Sequence, residues 1–224
     1  MATTYRENQE PSVASEAPVP TEPPAYSTDE MWSEPLTPLY ALDIETTGLE
    51  WPTSRITTVA LYSPSVSLVI EDADEARLIR RLAEHLGDLA AGTICTWNGA
   101  VFDGPFLARR TTVLGLGQWF ELAPDPSIVP KYEPQPGFAP IGHHPAFPAA
   151  GHLVHRHLDV AYRWRGWAAA NDVRWSLKPV ARANGIDVIE VDREHMEALS
   201  AAERMAYNLS DVVATYRLAG GPMA

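Results

Sequence analysis

The sequence predicts an α/β domain in which helices flank a mixed β-sheet. Two observations support this prediction: three strand-like segments precede the first helix, and later strands alternate with helices. Ser63, Pro64 and Ser65 separate the second and third strands, which indicates an antiparallel hairpin. The later strands should be parallel, because a helix follows each of them.

The first half of the chain gives clear periodic signals. Residues 39–44 form an apolar strand that ends in acids, and residues 56–62 and 66–70 are rich in β-branched residues. Residues 75–90 predict an amphipathic helix, and residues 93–97 predict a short strand. The helix places leucines at helical spacing: Leu78, Leu82, Leu86 and Leu89.

The second half alternates helix, loop, strand and helices. Residues 102–114 predict a helix and residues 153–160 a strand, followed by helices at 176–184 and 201–218. The stretch 117–151 contains eight prolines and is too long for an ordinary connection. We therefore expect it to be a functional insertion or a mobile loop.

The amino-acid composition predicts one globular domain preceded by a disordered tail. The chain has 224 residues, of which 46% are hydrophobic, and this is enough for one globular domain at residues 38–220. Residues 1–37 hold six prolines and seven acids against one arginine, which predicts a disordered tail. The tail would be simply solvated, or it would bind a replication or repair protein.

The net charge and the search for targeting signals limit the functions and the cellular locations that we expect for the protein. A net charge of −12 argues against a non-specific nucleic-acid binder with a basic surface, but not against a nuclease whose metal ions meet the phosphate. Neither a secretion signal nor an apolar run of membrane-spanning length is visible, and Cys95 is a lone cysteine. We expect a cytoplasmic protein. The abundance of Ala and Arg over Lys indicates a GC-rich genome, bacterial or viral.

Two carboxylates end the first predicted strand. Asp43 and Glu45 are two positions apart, so their side chains point to one face of the strand. Carboxylates held close together repel each other unless a proton or a cation intervenes, and Mg²⁺ prefers oxygen ligands of this kind. The alternative is a turn that carries solvated acids.

Further candidate residues follow in two later segments. Asp103 follows Asn98 near a predicted helix start, where an acid is also favoured for structural reasons. Tyr207 and Asp211 are four positions apart and therefore neighbours on one face of the last helix. The alternative for that helix is an exposed Asp211 beside a packed Tyr207.

The apolar pattern of the last helix leaves Asp211 open to both interpretations. Tyr207 and Asp211 lie nearly opposite the main apolar stripe. That stripe consists of Met205, Leu209, Val212, Val213 and Tyr216. Asp211 can belong to an interior site only if a second stripe, with Ala214 and Leu218, also faces protein.

In this order, the three segments resemble motifs Exo I, Exo II and Exo III of the DEDD superfamily of 3′–5′ exonucleases, whose domain has a ribonuclease H-like (RNase H-like) fold. Asp43 and Glu45 match the first motif. Asp103 matches the second, within an Asn-x3-Phe-Asp-x-Pro pattern typical of the proofreading domains of family B DNA polymerases. Asp211 matches the third, and Tyr207 is typical of the tyrosine (DEDDy) branch. The resemblance spans residues 38–220.

The resemblance implies a two-metal 3′–5′ exonuclease that releases nucleoside 5′-monophosphates from DNA, with single strands favoured. Two Mg²⁺ or Mn²⁺ ions would be held by Asp43, Glu45, Asp103 and Asp211. Tyr207 would orient the attacking water, since a phenol with a pKa of about 10 is a poor base at neutral pH. The terminal nucleotide would be held by Thr46, Thr47, Gly48, Leu49, Asn98 and Phe102. For Phe102, packing in the core is the alternative.

Basic residues and histidines add secondary candidates. Six basic residues would contact phosphates or be ordinary surface cations: Arg109, Arg110, Arg163, Arg165, Arg174 and Lys178. Five of the seven histidines fall within residues 143–157. Structural roles are the simpler interpretation of these histidines, and a zinc site is the alternative.

Two other functions remain open. The first is a 3′–5′ exoribonuclease, because the choice between DNA and RNA depends on contacts to the 2′-hydroxyl group. The second is a catalytically idle domain that binds nucleic acid or a replication partner. The complete set of four acids and a tyrosine argues against the idle domain.

Overall fold

The computed structural model describes residues 37–117, 119–130, 140–191 and 198–220. The predicted tail at residues 1–37 therefore lies outside the described residues, except for Thr37. In the described part, no helix combines the length and the apolar character that crossing a membrane requires.

A mixed sheet forms the centre of the domain. Its strands follow the order β3-β2-β1-β4-β7-β6-β5. Neighbours β1, β4 and β7 are parallel, and the pairings on both sides of them are antiparallel. The strands are β1 (Leu39–Thr46), β2 (Ile56–Ser63), β3 (Val66–Glu71), β4 (Thr93–Thr96), β5 (Glu121–Asp125), β6 (Gly142–Ala149) and β7 (Leu153–Asp159).

Helices cover both faces of the sheet. The helices are α1 (Glu75–Asp88), α2 (Asp103–Val113), α3 (Val160–Ala170), α4 (Leu177–Ala183) and α5 (Ala201–Leu218), with a short 3-10 turn at Ala150–His152. Leu42 and Ile44 share a buried cluster with residues of α1 and α2. Ala41 instead packs with Ala60 and with Val212 of α5. Successive residues of a strand point to opposite faces, so α5 lies on the face opposite α1 and α2.

Two strands lie within the described part of the proline-rich stretch 117–151. They are β5 and β6, which extend the sheet beyond β7. β6 pairs with β5 at residues 142–146 and with β7 at residues 147–149, so each half of β6 has one side without a ladder partner. Proline is tolerated where no ladder N–H is needed. The expectation of a functional insertion or mobile loop therefore missed two strands of the central sheet.

Candidate active site

The carboxyl end of β1 carries the first two predicted site residues. Asp43 and Glu45 are half-buried and point to the same face as Ala41, which packs on Val212 of α5. A register shift between Glu45 and Thr46 ends the regular pairing with β2. The two acids therefore lie on the α5 side of the sheet, where β1 turns into the following loop.

Asp103 is the first residue of α2, and its side chain is hydrogen-bonded to the backbone of β1. Its Oδ1 atom accepts a hydrogen bond from the backbone N–H of Ile44, at 3.2 Å, and its side chain is 4% exposed. Burial raises the pKa of Asp103 to about 7, and the negative charges of Asp159 and Glu45 add to the increase. Because Ile44 lies between Asp43 and Glu45, the structure brings Asp103 to the strand end that carries both acids.

Helix α5 buries the other two predicted residues. Tyr207 is 1% exposed and Asp211 4% exposed. Ala214 and Leu218, on the same stripe, are also buried, whereas Met205 is 41% exposed. The second stripe thus faces protein: Ala214 and Leu218 share a buried cluster with residues of α4, whereas Val212 packs with Ala41 of β1.

Lys178 of α4 is a partner of both residues. Its ammonium group lies 3.2 Å from Oδ1 of Asp211 and 3.9 Å from the ring centre of Tyr207. The first contact is an ion pair and the second is a cation–π interaction. Among the six basic candidates, Lys178 thus contacts two of the predicted site residues.

The carboxylates of the predicted site are suitable ligands for hard divalent cations. Carboxylate oxygens are the ligands that Mg²⁺ and Mn²⁺ prefer, and Asp103 is a buried carboxyl group close to the charge of Glu45. In the ranges that the structure describes, no three His, Cys, Asp or Glu side chains are already arranged as a metal site. Lys178 supplies the positive charge beside Asp211.

Hydrogen bonds and close packing hold the loop after β1. The hydroxyl group of Thr46 donates to the carbonyl oxygen of Gly48 at 2.7 Å, and the N–H of Thr47 donates to Arg55 O at 2.9 Å. A Cβ atom at Gly48 would lie 2.7 Å from Oγ of Ser54, so a larger residue does not fit there without movement. Leu49, at the tip, is 50% exposed.

Phe102 and Asn98 lie between β4 and α2. Phe102 is half-buried, with its ring 5.2 Å from that of Phe106 and against the core, as the packing alternative expects. Asn98 adopts a left-handed backbone with φ of 67°, and its N–H donates to the carboxylate of Asp159 at 2.9 Å. Nucleotide contacts by these residues stay a prediction.

The other basic candidates have contacts of their own. Arg110 is buried and pairs with Glu75 through Nε and Oε1 at 2.8 Å, so it is neither a phosphate ligand nor a surface cation. Arg109 stacks over Trp51, and Arg165 stacks over Trp175. Among the described residues, Arg163 bonds to a backbone carbonyl and Arg174 is exposed.

The histidine-rich region forms hydrogen bonds rather than a metal cluster in the described structure. The Nδ1 atoms of His144 and His157 lie 2.8 Å apart, and His157 Nε2 lies 2.8 Å from Oγ1 of Thr96. His144 Nε2 contacts the carboxylate of Asp125 at 3.2 Å. His155 bonds to Leu86 O. These contacts support the structural interpretation.

The domain is a mixed sheet, flanked by helices, with carboxylates at the carboxyl ends of its parallel strands. A sequence profile of the RNase_H superfamily matches residues 40–220, and the chain therefore belongs to this superfamily. This membership confirms the predicted α/β, RNase H-like fold.

Curated relatives come from a DNA polymerase. The chain is 29% identical over 167 residues to the DNA polymerase epsilon catalytic subunit of Candida glabrata, covering 70% of this chain and 7% of the relative. The corresponding protein from Eremothecium gossypii is 31% identical, with 67% of this chain and 6% of the relative covered. That from Saccharomyces cerevisiae is 28% identical, with 69% and 6% covered. The match thus spans only a small part of each relative.

A solved structure shows the same fold. The family B DNA polymerase from Pyrobaculum calidifontis matches 81% of this chain and 24% of its own, with a TM-score of 0.53 and 19% identity. Together the comparisons confirm the resemblance to a DEDD exonuclease of the family B type. They support nuclease function and nucleic-acid binding in general.

The predicted origin is wrong. We expected a cytoplasmic protein from a bacterium or a virus, but the curated relatives named above are fungal. The expectation rested on Ala and Arg content, which reflects the base composition of a genome and does not identify the kind of organism.

Proposed function

We propose that the chain is a metal-dependent 3′–5′ exonuclease that releases nucleoside 5′-monophosphates from the 3′ end of DNA, preferably single-stranded. One observation carries the proposal: the carboxylate of Asp103 bonds to the backbone of Ile44, between Asp43 and Glu45. The order of the motifs and the similarity to the catalytic polypeptides of DNA polymerase epsilon support it.

Four carboxylates would hold two Mg²⁺ or Mn²⁺ ions: Asp43, Glu45, Asp103 and Asp211. Asp103 and Glu45 repel each other, and Asp103 is buried, so a bound cation would relieve an existing electrostatic cost. When bound, such ions lower the pKa of a coordinated water and stabilise the leaving oxygen.

Tyr207 would hold the attacking water through its hydroxyl group. The ring is buried, and Lys178 lies against its face, which limits the movement of the phenol. A positioned phenol lowers the barrier by fixing the direction of attack, without acting as the base. Lys178 would thus support both Tyr207 and Asp211.

The terminal nucleotide would lie between two loops. Asn98 comes from the loop after β4, Thr46 is the last residue of β1, and Thr47 and Gly48 follow it in the next loop. The exposed side chain of Leu49 would wedge beside a base. Phe102 is half-buried and would contribute the edge of its ring.

The test is an end-resolved digestion of 5′-labelled oligonucleotides by the full chain. Single-stranded DNA and a matched RNA are incubated with Mg²⁺, with Mn²⁺ or with EDTA. We expect shortening of DNA from its 3′ end with metal only, and loss of this activity in Asp43→Ala and Asp211→Ala. Asp88→Ala, at the exposed end of α1, is the matched control.

Each contrary outcome has a distinct meaning. Full activity in both Asp43→Ala and Asp211→Ala would refute the assignment of the site. Digestion of RNA but not of DNA would make the chain an exoribonuclease. Absence of both digestion and Mg²⁺ binding in calorimetry would indicate an idle binding domain.

A further inference from the structure

Asp159 is a buried carboxylate that the proposed reaction does not use. It ends β7, is 2% exposed and lies opposite Thr96 in the parallel pairing of β4 with β7. β1 is also parallel to β4, so the carboxyl ends of the three strands lie at one edge of the sheet. Asp159 is therefore on the same edge as Asp43 and Glu45.

The carboxylate of Asp159 accepts three backbone hydrogen bonds. Its Oδ1 atom accepts from the N–H groups of Asn98, at 2.9 Å, and Ala161, at 3.1 Å. Its Oδ2 atom accepts from the N–H of Ala100, at 3.0 Å. The bond from Ala161 caps α3, whereas the other two hold residues 97–102, which we name the Asn98 loop.

The Asn98 loop is also fixed by other contacts. Asn98 has a left-handed backbone, and a Cβ atom at Gly99 would lie 2.2 Å from Oγ1 of Thr96, so the loop packs tightly on β4. From β6, the N–H of His143 donates to Ala100 O at 2.7 Å. Ala100 is thus held through its N–H by β7 and through its carbonyl group by β6.

We infer that Asp159 is a positioning residue, which holds the Asn98 loop so that Asn98 meets the terminal nucleotide and the chain enters α2 with Asp103 directed at β1. The inference rests on the proposed function. Replacing Asp159 should therefore weaken the binding of a DNA 3′ end, which the loss of a helix cap alone would not do.

Asp159→Ser separates these two roles. Serine is as good an N-cap as aspartate, so the bond that caps α3 is retained, but its single short side-chain oxygen cannot also serve Asn98 and Ala100. Hydrogen bonds to charged acceptors correspond to about one to two powers of ten in an equilibrium constant. Asp88→Ser, at an exposed position, is the matched control.

Two readouts are measured on the full chain. KM and kcat are determined with single-stranded DNA in Mg²⁺, and the Kd for a fluorescein-labelled single strand is determined in EDTA. We expect Asp159→Ser to raise both KM and Kd by about tenfold or more while the variant remains folded at the assay temperature.

Other outcomes discriminate between the proposals. Unchanged KM and Kd in Asp159→Ser would overturn the inference and leave Asp159 as a helix cap. Absence of cleavage by the wild-type chain would overturn the proposed function and this inference with it.

If Asp159→Ser does not fold, Asp159→Asn replaces it. The amide oxygen of the asparagine still accepts hydrogen bonds from Asn98 and Ala161, while its NH₂ group cannot accept one from Ala100. KM and Kd must then rise, and unchanged values overturn the inference.

Discussion

The ammonium group of Lys178 lies 3.2 Å from Oδ1 of Asp211. Both side chains are largely withdrawn from solvent, with 12% and 6% of their surfaces exposed. The same ammonium group lies over the ring of Tyr207. One cation therefore neutralises a proposed metal ligand and packs on the tyrosine proposed to orient the water. In the absence of metal, Asp211 already has a countercharge.

Lys178→Met should destabilise the metal-free protein. The substitution leaves the carboxylate of Asp211 buried without its cation, which costs about 3 kcal/mol in the free energy of unfolding. Added Mg²⁺ should recover part of this loss, because a metal supplies the missing positive charge. The measurement is urea unfolding of the variant and the wild type in EDTA and in Mg²⁺.

Arg182→Met is the matched control on the same helix. Arg182 pairs with Glu190, but both side chains are about half exposed, so its removal should cost much less stability than that of Lys178. Equal effects of the two substitutions, or a loss in Lys178→Met that Mg²⁺ does not reduce, would contradict the prediction.

Asp103→Asn should abolish cleavage and stabilise the metal-free fold at neutral and higher pH. Folding raises the pKa of Asp103 to about 7, so its contribution to stability falls as the pH rises from about 4, and the loss is complete above about 7. The asparagine side chain is uncharged, and its amide oxygen can still accept the hydrogen bond from Ile44. Activity should fall at least about 100-fold, because one of the four carboxylates proposed to hold the metal ions is lost.

The check on Asp103→Asn is a pair of measurements. Unfolding in EDTA at about pH 8 should require more urea for the variant than for wild type, and at about pH 5 this difference should be clearly smaller. The digestion assay in Mg²⁺ gives the activity. A variant that is less stable than wild type at both pH values would show that the negative charge of Asp103 helps the fold.

Strong periodicity made much of the fold predictable. The leucines of α1 and the β-branched strands β2 and β3 carry their signal in neighbouring positions, so local sequence suffices. β5 and β6 were missed because Pro124, Pro145 and Pro148 resemble loop residues, and α3 was missed because Gly166 interrupts its pattern. In each case tertiary packing overrides the local preference.

The residues of the candidate site could be predicted from the sequence, but the contacts between them could not. Motif order points to Asp43, Glu45, Asp103 and Asp211 without any structure. The ion pair of Lys178 joins two separate helices, and no spacing rule relates residues on different elements. Asp211 is buried where α4 packs on α5, and the single-stripe pattern of an amphipathic helix does not anticipate this second contact.

Arg110→Met should be among the more destabilising single substitutions in the domain. Arg110 and Glu75 form a buried ion pair, and Arg110 also donates to the carbonyl oxygen of Trp51 at 3.1 Å. Removing one partner leaves a buried charge and costs about 3–5 kcal/mol. Arg109→Met, which loses a stacking contact with Trp51, should cost about 1 kcal/mol.

A double-mutant cycle tests the Arg110 prediction. In Arg110→Met with Glu75→Gln, no unpaired charge remains, so the combined loss should be smaller than the sum of the single losses. Urea unfolding of the four proteins gives the coupling energy. Simple additivity would indicate that the two side chains act independently.

His144 and His157 should make the fold sensitive to acid. The carboxylate of Asp125 only accepts, so the contacts are satisfied when His144 donates to Asp125, His157 donates to His144 and Thr96 donates to His157. This arrangement requires both rings to be neutral. Burial lowers the pKa of both histidines, that of His157 strongly. The unfolded chain takes up protons below about pH 6.5 that the folded chain does not, so stability falls as the pH falls.

His157→Gln isolates this effect from Asp103 and Asp159. Burial raises the pKa of both aspartates to about 7, so their titration increases stability as the pH falls and partly masks the histidines. Below about pH 6.5 each buried neutral histidine contributes up to about 1.4 kcal/mol per pH unit. Urea unfolding in EDTA at about pH 7.5 and about pH 5.5 should therefore show that acid costs the wild type at least about 1 kcal/mol more than His157→Gln. His85→Gln, at an exposed position on α1, is the matched control. The same loss on acidification in wild type and His157→Gln would mean that His157 does not titrate differently in the folded and unfolded chains.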